Sequence, residues 1–497
     1  MKTSSHIEQV RVGTRAHWAT IAAIAITIVA GVLRLIFLAR ESLWYDEAIS
    51  VAIARSDGPT FWHAISSSEA NMALYYGLLR LFIGLGQSEV GIRAVSALPG
   101  VLTIPVIYAL GRRILGQREG LIAAVLLTAN TFHIAYSQEA RSYSLVVLLV
   151  SLSCLFFVRA IEDQTRRDWV WYIVAATLSV YSHFFALLVL GSQWASLAVL
   201  PSKRVPWSRF VASAAMMGLL CSPLAIYLLK NGTGGHLAWV SKSTPYSVYS
   251  VFSDFAGGGI LDAVYLLLWA AGFAFMVRLR DHSRSVFHIW RYALLWMWLL
   301  LPVAVSYLLS LRLPMFVNRY LIVCLPPFVL LASVSLARIP SKWVSAGSLT
   351  LIVILLSRSV QTYYAFDVKE DWRGVTSYVA ARTLSQDAIL FYVPVGRLAF
   401  DYYVFRGGTS GAATILYPKQ IDFDWKKNKD PNVTTFGTLS RQYPRLWLLE
   451  THVSGQTMGQ KSRALRAALA AGYPNMSENK FRGVDVLLYE TDQSFQK

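Results

Sequence analysis

Charge is scarce in this chain, and its acidic residues are scarcer than its basic ones. Of 497 residues, 15% are charged and 55% are hydrophobic, whereas soluble proteins are about 25% charged. Apolar runs long enough to cross a hydrocarbon layer of about 30 Å, which takes roughly 20 residues, recur up to residue 360. This composition excludes a soluble protein. The length of the runs also excludes a membrane β-barrel, whose strands are short and alternate in polarity.

Cysteine is nearly absent as well. Cys154, Cys221 and Cys324 all lie in apolar segments, and the polar C-terminal region has none. This distribution excludes a disulfide framework, and we expect these side chains to pack as small apolar residues. The chain also lacks a Walker loop, a Gly-x-Gly-x-x-Gly motif and a His-Glu-x-x-His motif. These absences argue against the nucleotide-binding and zinc-protease classes that depend on them.

The apolar runs predict about eleven transmembrane helices. The first run is too long for the apolar core of a signal peptide and has no cleavage site after it, so we expect it to be retained. The segments that end and begin next to His183 are the shortest. The predicted spans cover residues 18–38, 92–111, 119–136, 143–161, 169–182, 184–200, 209–229, 260–278, 292–311, 320–337 and 343–360.

The basic residues, which give a net charge of +18, concentrate in alternate loops. Arg112 and Arg113 follow the second predicted span, and Arg166 and Arg167 follow the fourth. Because cytoplasmic loops of membrane proteins are enriched in Lys and Arg, this alternation predicts a cytoplasmic N-terminus and an extracytoplasmic C-terminus in the plasma (inner) membrane. Most of the charge is therefore explained by membrane topology, and we expect no nucleic-acid partner.

Three regions are predicted to lie outside the membrane. The first loop, residues 39–91, contains amphipathic stretches that favour helices lying in the membrane interface. The loop of about residues 230–259 is rich in Gly, Ser and Tyr, which predicts an irregular, mobile segment. Residues 361–497 have a soluble composition, with strand-like runs at 387–393, 445–450 and 484–490 and helical periodicity at 372–384 and 460–473. The predicted architecture is thus an all-α membrane domain, residues 1–360, followed by a small extracytoplasmic α/β domain, residues 361–497.

Two adjacent carboxylates, Asp46 and Glu47, follow the first span directly in the sequence ESLWYDEAIS. Neighbouring residues on a helix do not face each other, so we expect these two to point in different directions and to take different roles. The alternative is structural, since a helix N-terminus favours acidic residues through its dipole.

Two arginines stand where membrane topology does not require positive charge. Arg141 joins the third and fourth spans next to Glu139, and Arg319 opens the tenth. A guanidinium group presents a planar fork that suits phosphate, which makes both candidates for holding an anion. Lys230, at the outer end of the seventh span, is a weaker third candidate. The alternative is that these side chains snorkel to the interface or form local ion pairs.

Metal binding has little support in the sequence. His183 lies at a predicted outside turn and, with Glu139 or Glu69, supplies ligand types for a divalent cation, but without the usual ligand spacing. A lone histidine is more often a packing residue. The pair Asp422 and Asp424 resembles the Asp-x-Asp motif of nucleotide-sugar enzymes, yet it adjoins the lysine-rich run KKNKD, which favours a solvated turn. No cofactor is predicted, and a divalent cation stays an alternative.

Several of these segments together resemble a known family. ESLWYDEAIS, ANMALYYGLLRLFIGLGQSEVGIRAVSALPGVL, AYSQEARSYSL, YSHFFALL, MFVNRYLIVCLPP and KEDWRGVTSYVAARTLSQDAILFY resemble the GT-C class of membrane glycosyltransferases. The similarity is to its family 39-like group, which includes protein O-mannosyltransferases and the aminoarabinose and galacturonic acid transferases of lipid A. It spans roughly residues 30–395. Relatives commonly carry prolines before the tyrosine pair at Tyr75 and Tyr76, where this chain has none.

The resemblance implies a polyprenyl-phosphate sugar as donor, with Asp46 at the position of the family's catalytic aspartate and Glu47 at that of its acidic neighbour. An acceptor hydroxyl would attack the sugar while a carboxylate takes its proton. Arg141 and Arg319, with Lys230 as a further candidate, would stabilise the leaving phosphate. Direct displacement inverts the anomeric centre.

The sequence therefore predicts a hexosyl- or pentosyltransferase of the cell envelope that acts on a lipid, glycan or protein hydroxyl. Glu139, Tyr76, Tyr320 and His183 are further candidates for binding substrate. The alternative is a transporter or flippase of lipid-linked glycans. Transporters place ionisable groups near the bilayer midplane within repeats, whereas here the charges gather at one surface and no repeat is visible.

Overall fold

The fold was obtained as a computed structural model that describes residues 2–232, 240, 242–282, 286–407, 413–424, 439–453 and 456–492. It is mostly helical, with one mixed sheet near the C-terminus. The α-helices are α1 (Lys2–Leu35), α2 (Tyr45–Arg55), α3 (Gly58–Ala64), α4 (Ala73–Ile83), α5 (Glu89–Ile114), α6 (Gln117–Thr128), α7 (Thr131–Ser137), α8 (Tyr143–Glu162), α9 (Arg166–Ser182), α10 (Ala186–Ser196), α11 (Trp207–Leu220), α12 (Ser222–Asn231), α13 (Pro245–Ala256), α14 (Ile260–His282), α15 (Val286–Ser310), α16 (Leu325–Arg338), α17 (Lys342–Ala365), α18 (Trp372–Ala380), α19 (Gly396–Gly407) and α20 (Gln456–Ala470).

Short 3-10 or π turns extend or join some of these helices. They cover Ile65–Glu69, Ala70–Met72, Leu197–Val199, Ser202–Arg204 and Asn318–Cys324. The strands are β1 (Ala388–Tyr392), β2 (Thr414–Tyr417), β3 (Arg445–Thr451), β4 (Asn475–Phe481) and β5 (Val484–Glu490).

All eleven predicted spans are helical, but fewer can cross a membrane unaided. Within the described ranges, seven helices have sufficient length and apolar composition, or nine if each of two bent pairs is one span. These pairs are α6 with α7, bent by 63°, and α11 with α12, bent by 53°. By length and composition, the described ranges thus contain seven to nine candidate spans, whereas the sequence predicts about eleven. The 17 residues of α9 rise only about 26 Å, short of the hydrocarbon thickness, and α10 is shorter still.

The break between α6 and α7 has a local cause. Asn130 caps α7, with its side-chain oxygen accepting the His133 N–H at 2.9 Å, and its amide nitrogen donates to the Phe255 carbonyl at 2.7 Å. The Arg34 guanidinium, fully buried, donates to the carbonyls of Leu127 and Thr128 at 3.0 and 3.3 Å. Carbonyls released where α6 ends thus find a partner inside the protein, as a membrane environment requires.

The chain divides into two compact units. The first, here called the helical unit, comprises Met1–Leu38, Ala70–Leu78 and Arg93–Phe366. The second, here called the sheet unit, comprises Ala39–Glu69, Leu79–Ile92 and Asp367–Lys497. Most of the first predicted outside loop, including α2 and α3, therefore belongs with the C-terminal residues, whereas the sequence grouped it with the membrane domain.

Among its described residues, the sheet unit contains five strands in the order β2-β1-β3-β5-β4. β1 is parallel to β2 and β3, while β5 is antiparallel to β3 and β4. The predicted strands and helices correspond to β1, β3, β5, α18 and α20. β2, β4 and α19 were not predicted. β4 has the polar sequence NMSENKF and lies at an edge, so it lacks the apolar alternation of an inner strand.

In the helical unit, close packing depends on glycine where α5 crosses α6. A Cβ atom on Gly120 would lie 2.7 Å from the Tyr108 carbonyl oxygen and 2.8 Å from the Arg112 nitrogen, both backbone atoms. The predicted irregular loop at about 230–259 is wrong in part, because α13 occupies residues 245–256, begun by a Thr244–Ser247 capping box. Residues 233–239 and 241 of that loop lie outside the described ranges.

Candidate active site

Asp46 and Glu47 lie in the first turn of α2, within the sheet unit. Both are buried, with 7% and 0% of their surface exposed. The N-cap residue is Trp44, which makes no side-chain cap bond, so neither carboxylate serves as the cap. The helix dipole nevertheless favours negative charge at this position.

The surroundings of the two carboxylates differ, as their adjacency on a helix predicts. Glu47 forms an ion pair with the Lys369 Nζ at 3.1 Å. The charge of Asp46 acts instead on His452, in a loop after β3. The pKa of His452 is raised, first by its hydrogen bond to Glu370 and further by the charges of Glu370 and Asp46. Asp46 therefore faces an ionisable side chain that sequence reasoning did not identify.

Lys369, Glu370 and His452 are absent from the predicted site. Their signal in the sequence is weak: Lys369 and Glu370 open the KEDW run soon after α17 ends, and His452 directly follows a buried strand. The His452 backbone has φ 53°, a left-handed conformation that is uncommon for residues other than glycine. Its ring packs edge-on against Tyr45, with centroids 4.6 Å apart.

The helical unit carries the predicted arginines. Arg141 lies in the turn between α7 and α8, where its N–H bonds to the Glu139 carbonyl at 2.7 Å and its own carbonyl accepts the Ser96 hydroxyl at 2.9 Å. Its guanidinium donates to the Tyr76 hydroxyl at 3.4 Å. Glu139 is buried. The turn thus holds Arg141 through its backbone as well as its side chain.

Arg319 lies in the 3-10 turn Asn318–Cys324, with its guanidinium carbon 5.9 Å from the centre of the Tyr320 ring. The Tyr320 ring in turn lies 4.9 Å from His183 and 6.5 Å from Tyr143, measured between centroids. His183 sits in the turn between α9 and α10. Three aromatic rings therefore pack together beside Arg319.

His183 connects the two arginines electrostatically. Burial, and then the charges of Arg141 and Arg319, lower its pKa to about 3, so the ring is neutral at physiological pH. Its Nδ1 accepts the Phe185 N–H at 3.2 Å, which assigns the ring proton to Nε2. Nε2 is buried and has no hydrogen-bond partner among the described residues. The structure thus brings together four residues. Arg141 and Arg319 are cations, His183 is a neutral donor, and the Tyr320 ring packs beside Arg319 and His183.

Other predicted residues lie elsewhere. Lys230 is exposed in the last turn of α12 and is not part of the packed cluster at His183. Asp422 accepts the Asp424 N–H at 2.8 Å and lies 3.1 Å from the His63 ring nitrogen, whereas the run KKNKD, residues 426–430, which was predicted to form a solvated turn, lies outside the described residues. Within the described ranges, no group of three or more His, Cys, Asp or Glu is placed to hold a metal ion.

Comparison with known proteins gives consistent results. Residues 72–227 match the family model of dolichyl-phosphate-mannose-protein mannosyltransferases. Among solved structures, the chain is similar to ArnT from Cupriavidus metallidurans in the apo state, at 14% identity and a TM-score of 0.61, over 96% of this chain and 98% of that one. The same protein bound to undecaprenyl phosphate matches at 12% identity and a TM-score of 0.60, with the same coverage.

A second group of structures is more distant. The Archaeoglobus fulgidus oligosaccharyltransferase in complex with Zn and sulfate matches at 13% identity and a TM-score of 0.54, over 93% of this chain and 72% of that one. No curated protein gives a significant sequence match. The predicted resemblance to the GT-C class of membrane glycosyltransferases is confirmed by the fold and by the family match. The chain is a multi-pass membrane protein with the fold of that class.

Proposed function

We propose that this protein transfers a sugar from a polyprenyl-phosphate donor to an acceptor hydroxyl on the extracytoplasmic side of the plasma membrane, with inversion at the anomeric carbon. One observation carries the proposal: the charges of Arg141 and Arg319 both act on His183, a buried neutral ring whose Nε2–H has no hydrogen-bond partner among the described residues. This cluster has the donors and the positive charge that a phosphate requires.

In this mechanism the lipid phosphate binds to the two guanidinium groups and to the His183 Nε2–H. As the bond between the anomeric carbon and the phosphate oxygen breaks, negative charge grows on that oxygen. Preorganised cations stabilise this charge most strongly where water is excluded. Tyr76 holds the Arg141 guanidinium, and Tyr320 supports Arg319 through its ring face.

Asp46 is the proposed general base, taking the proton of the acceptor hydroxyl as its oxygen attacks the anomeric carbon. Glu47 is the less suitable of the two carboxylates, because it is fully buried against Lys369 and its charge is already balanced. We assign Glu47 a supporting role. The acceptor is a hydroxyl of a lipid, a glycan or a protein.

The proposed orientation has a cytoplasmic N-terminus and an extracytoplasmic sheet unit. It rests on the basic loops, such as Arg112–Arg113 and Arg166–Arg167, that alternate along the helical unit. Transport of a lipid-linked glycan has weaker support. A transporter would use a charge buried in the membrane, and the charge buried in the first span is Arg34. Its guanidinium donates to backbone carbonyls and lies 2.8 Å from the His133 ring nitrogen, so these contacts explain it as a structural residue.

The test compares the envelope glycolipids and glycoproteins of cells with and without the protein by mass spectrometry, and then measures transfer with the donor so identified. D46N is expected to lower transfer by about 10²–10⁴-fold, the usual contribution of a general base. R141A and R319A are each expected to weaken donor binding by about tenfold or more, from loss of hydrogen bonds to a charged group. R312A removes an exposed arginine beyond the end of α15 and serves as the matched control.

Intact transfer by D46N would show that Asp46 is not the base. Unchanged donor affinity in both R141A and R319A would remove the phosphate assignment. Protease or thiol labelling that places the sheet unit in the cytoplasm would reverse the orientation and, with it, the location of the site.

A further inference from the structure

We infer that Glu370 is a positioning residue for Asp46, so that the C-terminal part of the sheet unit works as part of the active site rather than as an independent binding domain. This inference rests on the proposed function, in which Asp46 is the general base. The evidence lies entirely within the sheet unit, where the segment 367–373 holds the loop 39–47 through a continuous set of bonds.

The bonds between these two segments involve both backbones. The Glu41 carboxylate accepts the N–H groups of Val368 and Lys369, at 2.5 and 3.1 Å, and the Ser42 hydroxyl donates to the Glu370 carbonyl. At the start of the loop, Arg40 forms an ion pair with Asp367 (2.5 Å), and the Arg373 guanidinium donates to the Ala39 carbonyl (2.9 Å). The loop that leads into α2 is therefore held along most of its length.

Glu370 is the centre of this arrangement. The Glu370 residue is 7% exposed, and its carboxylate oxygens have four hydrogen-bond or ion-pair partners. Oε2 accepts the Tyr45 N–H at 3.4 Å and the Trp372 indole N–H at 2.5 Å, while Oε1 accepts the Thr451 hydroxyl at 2.9 Å and pairs with His452 Nε2 at 2.5 Å. One buried group thus ties the start of α2 to the end of β3.

The residues on either side of Asp46 are both held by adjacent residues of the C-terminal segment. Glu370 binds the backbone of Tyr45, and Lys369 binds the side chain of Glu47. Since a displacement of about 1 Å in a reacting group can cost about 10²-fold in rate, fixing both neighbours matters for a base. His452 adds a second link, because it bonds to Glu370 and responds to the charge of Asp46.

The experiment uses the full chain in lipid nanodiscs and the isosteric variant E370Q. The first readout is hydrogen–deuterium exchange of the backbone at residues 43–49. The second is the kinetics of sugar transfer, with kcat and the KM for donor measured separately. The matched control is D387N. Asp387 is also buried in the sheet unit and also accepts a tryptophan indole N–H, from Trp447 at 2.8 Å.

Asp387 serves this purpose because it lies at the opposite end of the sheet. It pairs with Arg445 at the start of β3, whereas Glu370 bonds to Thr451 at the end of that strand. Arg445 and Thr451 are six positions apart along the strand, which corresponds to about 20 Å. Both variants are expected to lower thermal stability, but only E370Q removes bonds to the loop.

We expect E370Q to speed exchange at residues 43–49 by at least about tenfold and to lower kcat by about 10²-fold, with the donor KM within about threefold. D387N should leave both the exchange at 43–49 and kcat unchanged. Unchanged exchange in E370Q would overturn the inference, and so would an equal loss of kcat in D387N at matched stability. Exchange needs no substrate, so the two ideas can fail separately. If the native chain transfers no sugar but E370Q still speeds exchange at residues 43–49, the proposed function is refuted and the inference about the loop stands.

Discussion

The buried ion pair between Glu47 and Lys369 allows a sharp test of how the sheet unit holds α2. The perturbations are E47Q, K369M and the double variant. Removing one partner of a buried pair leaves an uncompensated charge and costs about 3–5 kcal/mol, whereas replacing both is often close to neutral. Glu47 has no exposed side-chain surface, while the Lys369 side chain is 13% exposed. K369M, which strands the enclosed carboxylate, should therefore cost more than E47Q, which leaves a lysine able to reach water.

The assay is thermal unfolding of the full chain in nanodiscs, followed in the sheet unit by hydrogen exchange of β1, β3 and β5. For a unit of 150–250 residues, each kcal/mol shifts the midpoint by about 2–4 °C, so K369M should lower it by about 10 °C. The double variant should recover most of that loss, and K369R, which keeps the charge, should lose little. Strictly additive losses in the double variant would refute the reasoning, because independent effects carry no coupling energy.

Other outcomes follow from the same structure. The Glu370–His452 bond raises the pKa of His452, so the stability it adds is complete below about pH 6.5 and is lost as pH rises through the folded pKa; the thermal midpoint of the native chain should therefore fall relative to H452Q as pH rises from 5.5 to 8.5. H183F should weaken donor binding by about tenfold or more through loss of one hydrogen bond to an anion, and because the pKa of His183 is about 3 its contribution should not vary between pH 5 and 8. G120A should lower the thermal midpoint of the helical unit, while G191A, where a Cβ meets nothing within 4 Å, should not.

Local patterns were sufficient where a residue's environment is set by its neighbours in sequence. The apolar runs gave the positions of all the long helices, and the strand-like runs gave β1, β3 and β5, because each buries an apolar face that its own periodicity displays. The same reasoning separated Asp46 from Glu47, since successive helix positions point in different directions. Each of these predictions concerns one segment at a time.

Patterns failed where the outcome depends on a partner distant in the chain. The edge strand β4 was missed for a different reason: its partner β5 follows after only Arg482 and Gly483, but its polar sequence lacks apolar alternation. Hydropathy alone does not show that α9 stops at Ser182 or that α6 and α7 meet at 63°, and these breaks depend on the folded structure. Lys230 was grouped with the arginines by its predicted side of the membrane; it is exposed in α12, and its role in donor binding stays a prediction.

The sequence by itself determined the membrane class, the helical architecture and the C-terminal sheet, since composition and periodicity carry that information directly. It also proposed candidate residues at positions 46, 47, 141 and 319, from their placement and from the family resemblance. Only the tertiary structure decided that Arg141 and Arg319 share His183, and that the loop of Asp46 belongs to the same unit as Glu370. Glu370 is 325 residues from Tyr45 in the chain. The physical reason is that a buried carboxylate must be satisfied by whichever donors the fold brings to it, and no local pattern specifies those donors.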